Sequence, residues 1–488
     1  MYGAPYCDWG VTLRMAVLRL VPYVGSAIVA DNSRWVIPLL IHLAHLSSPA
    51  TYREGGALMA LTYDELRSDV AGGAVGVRCR TVLEPLGGRG DKVFPPTYGV
   101  PENADTKYAT EDRYVPSGTG SDGAVVPSVV LDSVASQANR LEMALLDAIR
   151  RGELAAPVTS VDFRPVEGLA GLDRISDYET PHRIFDALLR DSYDGDHLFR
   201  NGTVGRAVTG ARPRDAAGLY HHSPHTLVFG GWDSTGPRGG LGAKYERAIT
   251  SEIVGVGITT GVRTSSRIDS VSIELQAGPL YQAADGTWTL KEDEAELDSS
   301  GKAKLLGAKD GARQGGREAG RPSQANHGNV TPSIDAKSGG VTAEKIIGTT
   351  VLSFIQLRRL RFPTGPDGAT LDDRRRSEAE VAAHTALAAL GLAAAALAFE
   401  EGFDLRSRCV LVNAEPVVFQ SVVRGGEVRP FDLSGADALK LVAECADRAA
   451  ALGLPWRGSE LTLRPAERLA ELIRRSNNLA VSSETGTE

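Results

Sequence analysis

The sequence predicts an α+β fold, a mostly antiparallel sheet with helices on one face. Three observations predict it. Strand-like and helix-like segments mix along the 488 residues without the regular alternation of a doubly wound sheet. The stretch "SVASQANRLEMALLDAIRRGEL" has helical periodicity, with Ser133 or Ser136 as N-cap and Gly152 at its end. An Ala-rich run over 376–401 predicts a second, longer helix. With 42% hydrophobic residues the chain can build a sizeable core, as one large domain or two to three ordinary ones.

Taken in order, residues 1–58 read as an N-terminal extension, a product of translation upstream of Met59. Their apolar pieces are broken by Arg19, Pro22, Asp31, Asn32, Arg34 and Pro38, and neither reaches the roughly 18 uninterrupted apolar residues of a membrane helix. A helix is expected over 62–70, with Thr62 as N-cap and Glu65 three residues on. "GVRCRTVLEPL" reads as a strand and 87–123 as a long loop. "VVPSVVLDS" is a strand leading into the helix that starts after Ser133. A further helix is expected over 180–191, with Thr180 as cap and Pro181 at the first helical position. The apolar run "LVF" at 227–229 looks strand-like. It enters a glycine-rich turn, and the turn is expected to open into a helix bearing Lys244 and Arg247. "GVGITTGVRTSSRIDSVSIEL" is strand-like, and 283–340 is polar enough to be an excursion from the core. Beyond it come a strand from 344 that turns strand or helix, a strand over 408–424, a helix over 434–452, and a short helix near 464–475 before a polar tail in 453–488.

A net charge of -8 and a pI near 5.7 argue against a simple basic coat for nucleic acid, although local charge decides such binding. Cys7, Cys79, Cys409 and Cys445 lack paired metal spacing and read as reduced thiols of a cytoplasmic protein. A phosphate-binding G-x-x-x-x-G-K-[ST] loop fails because Tyr245 follows Lys244 and Ala243 separates Lys244 from Gly242. What remains of that stretch suits a phosphodiester backbone: turn amides and two cations. In "YHHSPH", His221, His222 and His225 lack a nearby third and fourth ligand type, so a solvated loop is the plainer reading. No H-E-x-x-H, G-x-S-x-G or C-x-x-C occurs, and no carboxylate spacing singles out an acid–base pair.

Basic and amide groups recur instead. Arg263 and Arg267 sit four apart with Ser and Thr between them, on one face if the segment is a strand. Gln137, Asn139 and Arg140 fall in the first turn of one expected helix, and His182 and Arg183 in another. Each alone reads as a cap or a solvated surface group. Together they read as a surface that tracks a nucleic-acid backbone rather than a small-molecule pocket.

The blocks "LEPLGGRGDKVFPPTYG", "SVASQANRLE", "PHRIFDALLRDS", "LVFGGWDSTGPRGGLGAKYERAITSEIVG", "RTSSRID", "PSQANHGNVTPS" and "LRSRCVLV" occur in this order over roughly 59–450. The set resembles the CRISPR-associated RAMP backbone subunit of type I-G systems (formerly I-U), a Cas-seven-type protein of the Csb family. The resemblance implies a modified RRM/ferredoxin-like palm with large insertions over 59–452, and a thumb-like projection in the 283–340 region. It implies no catalytic residue, no cofactor and no membrane. Its implied partners are crRNA, target DNA held through the guide, copies of the chain itself and other Cascade subunits. By position, it implies RNA contacts at Gln137, Asn139, Arg140, His182, Arg183, Lys244, Arg263 and Arg267. Trp232 is either a base-stacking residue or a core or interface anchor, and Asn326 and His327 fall at the thumb or a subunit contact. Residues 283–321 look longer than a minimal thumb and carry Lys302, Lys304, Lys309, Arg313, Arg317 and Arg321, a basic arm or a solvated insertion. Two other readings stand beside this one. The chain is then a metal-dependent ribonuclease using Asp132, Asp233 or the His221–His225 cluster, or an RNA-binding protein outside CRISPR.

Overall fold

The fold is taken from a computed structural model that describes residues 58–116, 123–236, 242–308, 319–365 and 368–484, with side chains as far as Leu479. All but the last residue of the expected extension over 1–58 lies outside the described residues. So do the glycine-rich tip 237–241 and three basic residues of the insertion, Lys309, Arg313 and Arg317.

The chain opens on α1 (Tyr63–Ser68), capped as its sequence predicts. Glu65 N donates to Thr62 Oγ1 (3.3 Å), and Thr62 N donates to the Glu65 carboxylate (3.0 Å). Nine strands then form the main sheet: β1 (Ala74–Pro85), β2 (Thr110–Pro116), β3 (Gly123–Asp132), β6 (Ile249–Thr260), β9 (Val341–Ser353), β10 (Phe403–Arg406), β11 (Cys409–Asn413), β12 (Phe419–Val423) and β13 (Val428–Phe431). Their order is β10-β11-β1-β9-β6-β3-β2. β12 also pairs β1 on the β11 side, nearer its start, and β13 flanks β12. Every pairing in this sheet is antiparallel. Short ladders outside it include β4 (Gly231–Trp232) with β5 (Lys244–Tyr245), and β7 (Arg263–Arg267) with β8 (Val330–Asp335).

The two faces of the main sheet differ. Along β1, Val77, Cys79 and Leu83 are buried while Arg78 and Arg80 are exposed, the period-two pattern of a strand covered on one side. The covered face carries α2 (Val134–Arg150) against β6 and α3 (Asp373–Glu401) against β9. α3 is long and apolar enough to cross a membrane by length and composition, yet 89% of its apolar window is buried in the protein. Its alanines let it pack on all sides. At Gly391 an added Cβ would stand 3.2 Å from Val228 and 3.3 Å from Leu352, so the helix approaches both the sheet and its neighbour helix closely. α4 (Gly435–Ala451) packs along α3. Among the described residues Cys79, Cys409 and Cys445 are buried free thiols.

Several expectations are corrected. The expected loop 87–123 contains β2, a hydrophilic edge strand that pairs only with β3 and needs no apolar face. The strand expected over 408–424 is two strands, β11 and β12, meeting β1 at opposite ends. "LVF" ends a helix, Pro224–Phe229, with Pro224 at its first position. The helix expected after the glycine-rich turn is β5, running towards β6. Over 180–191 there is no single helix. A 3-10 turn, Arg183–Phe185, and a one-turn helix, Ala187–Arg190, replace it, because Arg183 takes φ +53°. The tail also holds more than predicted. Leu461–Pro465 joins a second, five-stranded sheet, running parallel to Thr159–Asp162, and α5 extends over Glu467–Glu484.

α3 also buries His384, whose Nε2 donates to the Leu360 carbonyl (3.1 Å). Burial pushes this imidazole down to about 4. A depressed folded value favours the fold fully above the unfolded value, and that contribution is lost as pH falls through the folded one. His384→Gln should therefore gain on the wild type by about 1.4 kcal/mol per pH unit between about pH 6.5 and pH 4. Urea unfolding of both proteins at pH 7 and pH 5 measures this. A gap that does not change with pH contradicts a buried neutral imidazole.

Candidate nucleic-acid interface

The glycine-rich segment is held at its base by the β4–β5 ladder. Gly231 pairs with Tyr245, and Trp232 with Lys244. Alternation along the two strands sends one pair each way. Gly231 and Tyr245 face inward. A Cβ on Gly231 would stand 2.7 Å from Thr226 and 3.2 Å from the Phe185 ring, and Tyr245 stacks on Phe185 with centroids 6.4 Å apart. Trp232 and Lys244 face outward, Trp232 with 47% of its surface exposed. Directly opposite residues on such a ladder hold their Cβ atoms about 5 Å apart, so an indole and an ammonium share one small patch. Exposed Arg247 follows two residues after the ladder, its stem against Gly230. Among the described residues neither Lys244 nor Arg247 has a hydrogen-bond or ion-pair partner.

Beneath the patch lies a buried ion pair. Both Arg183 Nε and Nη2 donate to the Glu142 carboxylate at 2.6 Å, and Arg183 Nη1 donates to the Gly230 carbonyl at 3.0 Å. Burial raises the Glu142 carboxyl, and Arg183 opposes that rise. Arg247 is pushed down by burial and by Arg183, and Glu142 opposes that fall. The loop after Trp232 is gripped by Arg200, which donates to the Thr235 carbonyl and the buried Asp233 carboxylate.

A second basic surface is the open face of the main sheet. Arg78 stands opposite Val351 and Arg80 opposite Thr349 across β1 and β9, and Thr250 and Glu252 continue these rows on β6. Arg78 Nε donates to Gln420 (2.8 Å) on β12. Arg80 has no hydrogen-bond or ion-pair partner among the described residues. Glu252 is taken up by Arg113 of β2 at 2.9 Å, which removes one acid from the face. Sequence reasoning passed over Arg78 and Arg80. Their signal was the alternation of "VRCRTVL", in which each arginine falls on the solvent side of a half-buried strand.

The structure sorts the other expected site residues. Gln137 is fully buried; it donates to Asp132 (2.7 Å) and accepts from Ser251 (2.8 Å). Arg140 is spent on Asp132 (3.0 Å) and on the carbonyls of Asp404 (2.7 Å) and Leu405 (3.0 Å), tying α2 to β10. Asn139 and His182 are exposed, His182 just ahead of the Arg183 turn. Arg183 is buried, so three of the groups expected at helix starts, Gln137, Arg140 and Arg183, serve the interior. Arg263 pairs with Asp335 (3.1 Å) across β7–β8. Arg267 donates to Asn326 (3.1 Å), His327 (3.1 Å) and Gly328 (3.3 Å), which draws "ANHG" onto β7. The outward groups among the original set that come together are Trp232 and Lys244.

The histidines of "YHHSPH" sit in two packed helices, Ala217–His222 and Pro224–Phe229, not in a solvated loop. His221 Nδ1 faces the Pro455 carbonyl at 2.6 Å. His222 meets Arg457 at 3.2 Å and is pushed down to about 3 by burial. His225 is fully buried and stacked on Tyr178, 3.8 Å between centroids. Among the described residues no three His, Cys, Asp or Glu groups stand as a metal-holding cluster.

Taken together, the mixed α+β scaffold carries an aromatic–cation patch and a basic sheet face, the kinds of surface that stack bases and meet phosphates. Residues 77–260, from within β1 to the end of β6, match a family described as CRISPR-associated protein GSU0053. The match supports a CRISPR-associated protein. No curated protein matches the chain.

Arg183→Met should cost about 3–5 kcal/mol, because it strands the Glu142 carboxylate without a counter-ion. Adding Glu142→Leu should restore part of that loss. Equilibrium urea unfolding of the single and double variants measures both. An Arg183→Met protein within about 1 kcal/mol of wild type would remove the pair from its place at the base of the patch.

Proposed function

We propose that the chain is a crRNA-binding backbone subunit of a type I-G CRISPR surveillance complex, acting without catalysis. Several copies stack along the guide, with other Cascade subunits, in the cytoplasm. The guide, not the protein, reads target DNA by base pairing, a division of labour that other RNA-guided effectors share. The observation that carries this reading is the family match over 77–260, whose span includes most of β1, α2, the Trp232–Lys244 ladder and β6.

The strand order supports the palm part of the reading. Setting aside β2, β3, β10 and β13 and taking β1, β6, β9 and then β11/β12 as four core strands, α2 lies between the first and second and α3 between the third and fourth. Their order across the sheet is fourth, first, third, second, all antiparallel. This order is in keeping with the β-α-β-β-α-β arrangement of RRM/ferredoxin-like domains, and on that reading β7, β8 and the polar excursion are a thumb inserted between the second and third strands. Such domains bind single strands on the open face of the sheet, where Arg78 and Arg80 stand here. In the patch, Trp232 offers a face for a base, and Lys244 and Arg247 offer cations for adjoining phosphates. The non-catalytic part rests on the commitment of the chemical groups. Asp132 is held by Gln137 and Arg140, Asp233 by Arg200, and the three histidines by separate partners.

The test is to express the chain with its repeat-spacer RNA and neighbouring subunits, purify the assembly and sequence the bound RNA. Uniform guides in a large complex are expected. Trp232→Ala should weaken guide RNA binding by about 5- to 150-fold, the value of one stacked base. Lys244→Glu and Arg80→Glu should each flatten the salt dependence of binding. An RNA-free monomer purified in the presence of all partners contradicts the reading.

A further inference from the structure

Three arginines from one stretch of 18 residues converge on the seven residues 230–236. Arg183 donates to the Gly230 carbonyl. Arg200 donates to the Thr235 carbonyl, to Thr235 Oγ1 (3.1 Å) and to Asp233. Arg190 donates to Thr235 Oγ1 (3.3 Å) while its other edge is held by Asp191 (2.6 Å). The loop closes on its own strand partner. Asp233 N donates to the Ala243 carbonyl (3.2 Å), and a Cβ on Gly242 would fall 1.7 Å from the Asp233 carbonyl, so only glycine permits that approach.

The source of Arg200 is equally fixed. It lies in the 3-10 turn Phe199–Asn201, anchored by the buried Phe199 ring. The helix Thr203–Gly210 presses on that turn, so that a Cβ on Gly205 would fall 1.7 Å from the Phe199 carbonyl. Arg200 therefore spans from a packed turn to both ends of the Asp233–Thr235 segment. That segment directly follows Trp232 on β4, and an exposed indole can present a fixed face only if its backbone cannot swing.

We propose that Arg200 is a positioning residue, which acts through Asp233 and Thr235 to hold Trp232 of the β4–β5 ladder in the orientation that stacks on an unpaired nucleobase. This rests on the RNA-binding reading above. Asp233, weighed from sequence as a metal ligand, is here the anchor of the clamp.

Two measurements on the assembled complex test it. Hydrogen exchange of Arg200→Met, and of Arg200→Met/Asp233→Asn, which strands no buried carboxylate, should speed up in 231–236 and 243–245 and stay unchanged in α2 and β6. Guide RNA binding by the same variants should weaken at least about fivefold, with the salt slope unchanged, since no phosphate contact is removed. In a Trp232→Ala background the same substitutions should cost nothing more. Unchanged exchange in the loop overturns the proposal, as does an equal loss of affinity whether or not Trp232 is present. Faster loop exchange with RNA affinity intact overturns the positioning role and leaves the RNA-binding reading standing. A wild-type complex without RNA strikes that reading, and the proposal with it.

Discussion

The bidentate pair between Glu142 and Arg183 ties the scaffold to the candidate interface. Glu142 rides on α2, which is fixed to the covered face of the sheet by the bonds of Gln137 to Asp132 and to Ser251, and to β10 by Arg140. Arg183 carries that fixation to the Gly230 carbonyl, one residue before β4. An isolated charge at this depth costs several kcal/mol, and the pair is tolerable only because both guanidinium edges and the carboxylate are satisfied. The requirement is steep enough to hold Arg183 at φ +53°, a conformation that costs a non-glycine residue of order 1 kcal/mol or more.

The main sheet offers a way for an acidic chain to meet the anionic ligand proposed for it. A net charge of -8 repels RNA at long range, but the open face brings Arg78 and Arg80 forward and neutralises Glu252 with Arg113. Burial on the other side is carried by alanines of α3 and by β-strand residues such as Val77, Leu83 and Leu352. One face can therefore stay polar without weakening the core.

Local chemistry was legible in the sequence, and tertiary commitments were not. The Thr62–Glu65 capping box and the Ser133 cap depend on residues within one turn, so α1 and the start of α2 could be read directly. The α+β class and the antiparallel preference followed from element order. The 180–191 helix failed because Arg183 answers to Glu142, 41 residues away, rather than to its neighbours. β2 was hidden because an edge strand of "TEDRYVP" carries no apolar face to detect. At the site, Trp232 and Lys244 were visible as residue types, but their pairing comes from a ladder closing over the glycine-rich segment. Gln137 and Arg140 looked available because Asp132, the buried acid that claims them, lies at the end of a different element. Arg200 gave no local signal, since its partners are more than 30 residues away in sequence.

On the proposed reading, nucleic acid lies against the Trp232–Lys244 patch and the Arg78–Arg80 face. Ultraviolet crosslinking of the purified complex, followed by mass spectrometry of the RNA-bound peptides, tests it most directly. Adducts on the peptide that contains Trp232 and on peptides from β1 or β9 are the predicted result. Adducts confined to α5 or to the five-stranded sheet, with none at Trp232 or on the open face, would contradict it.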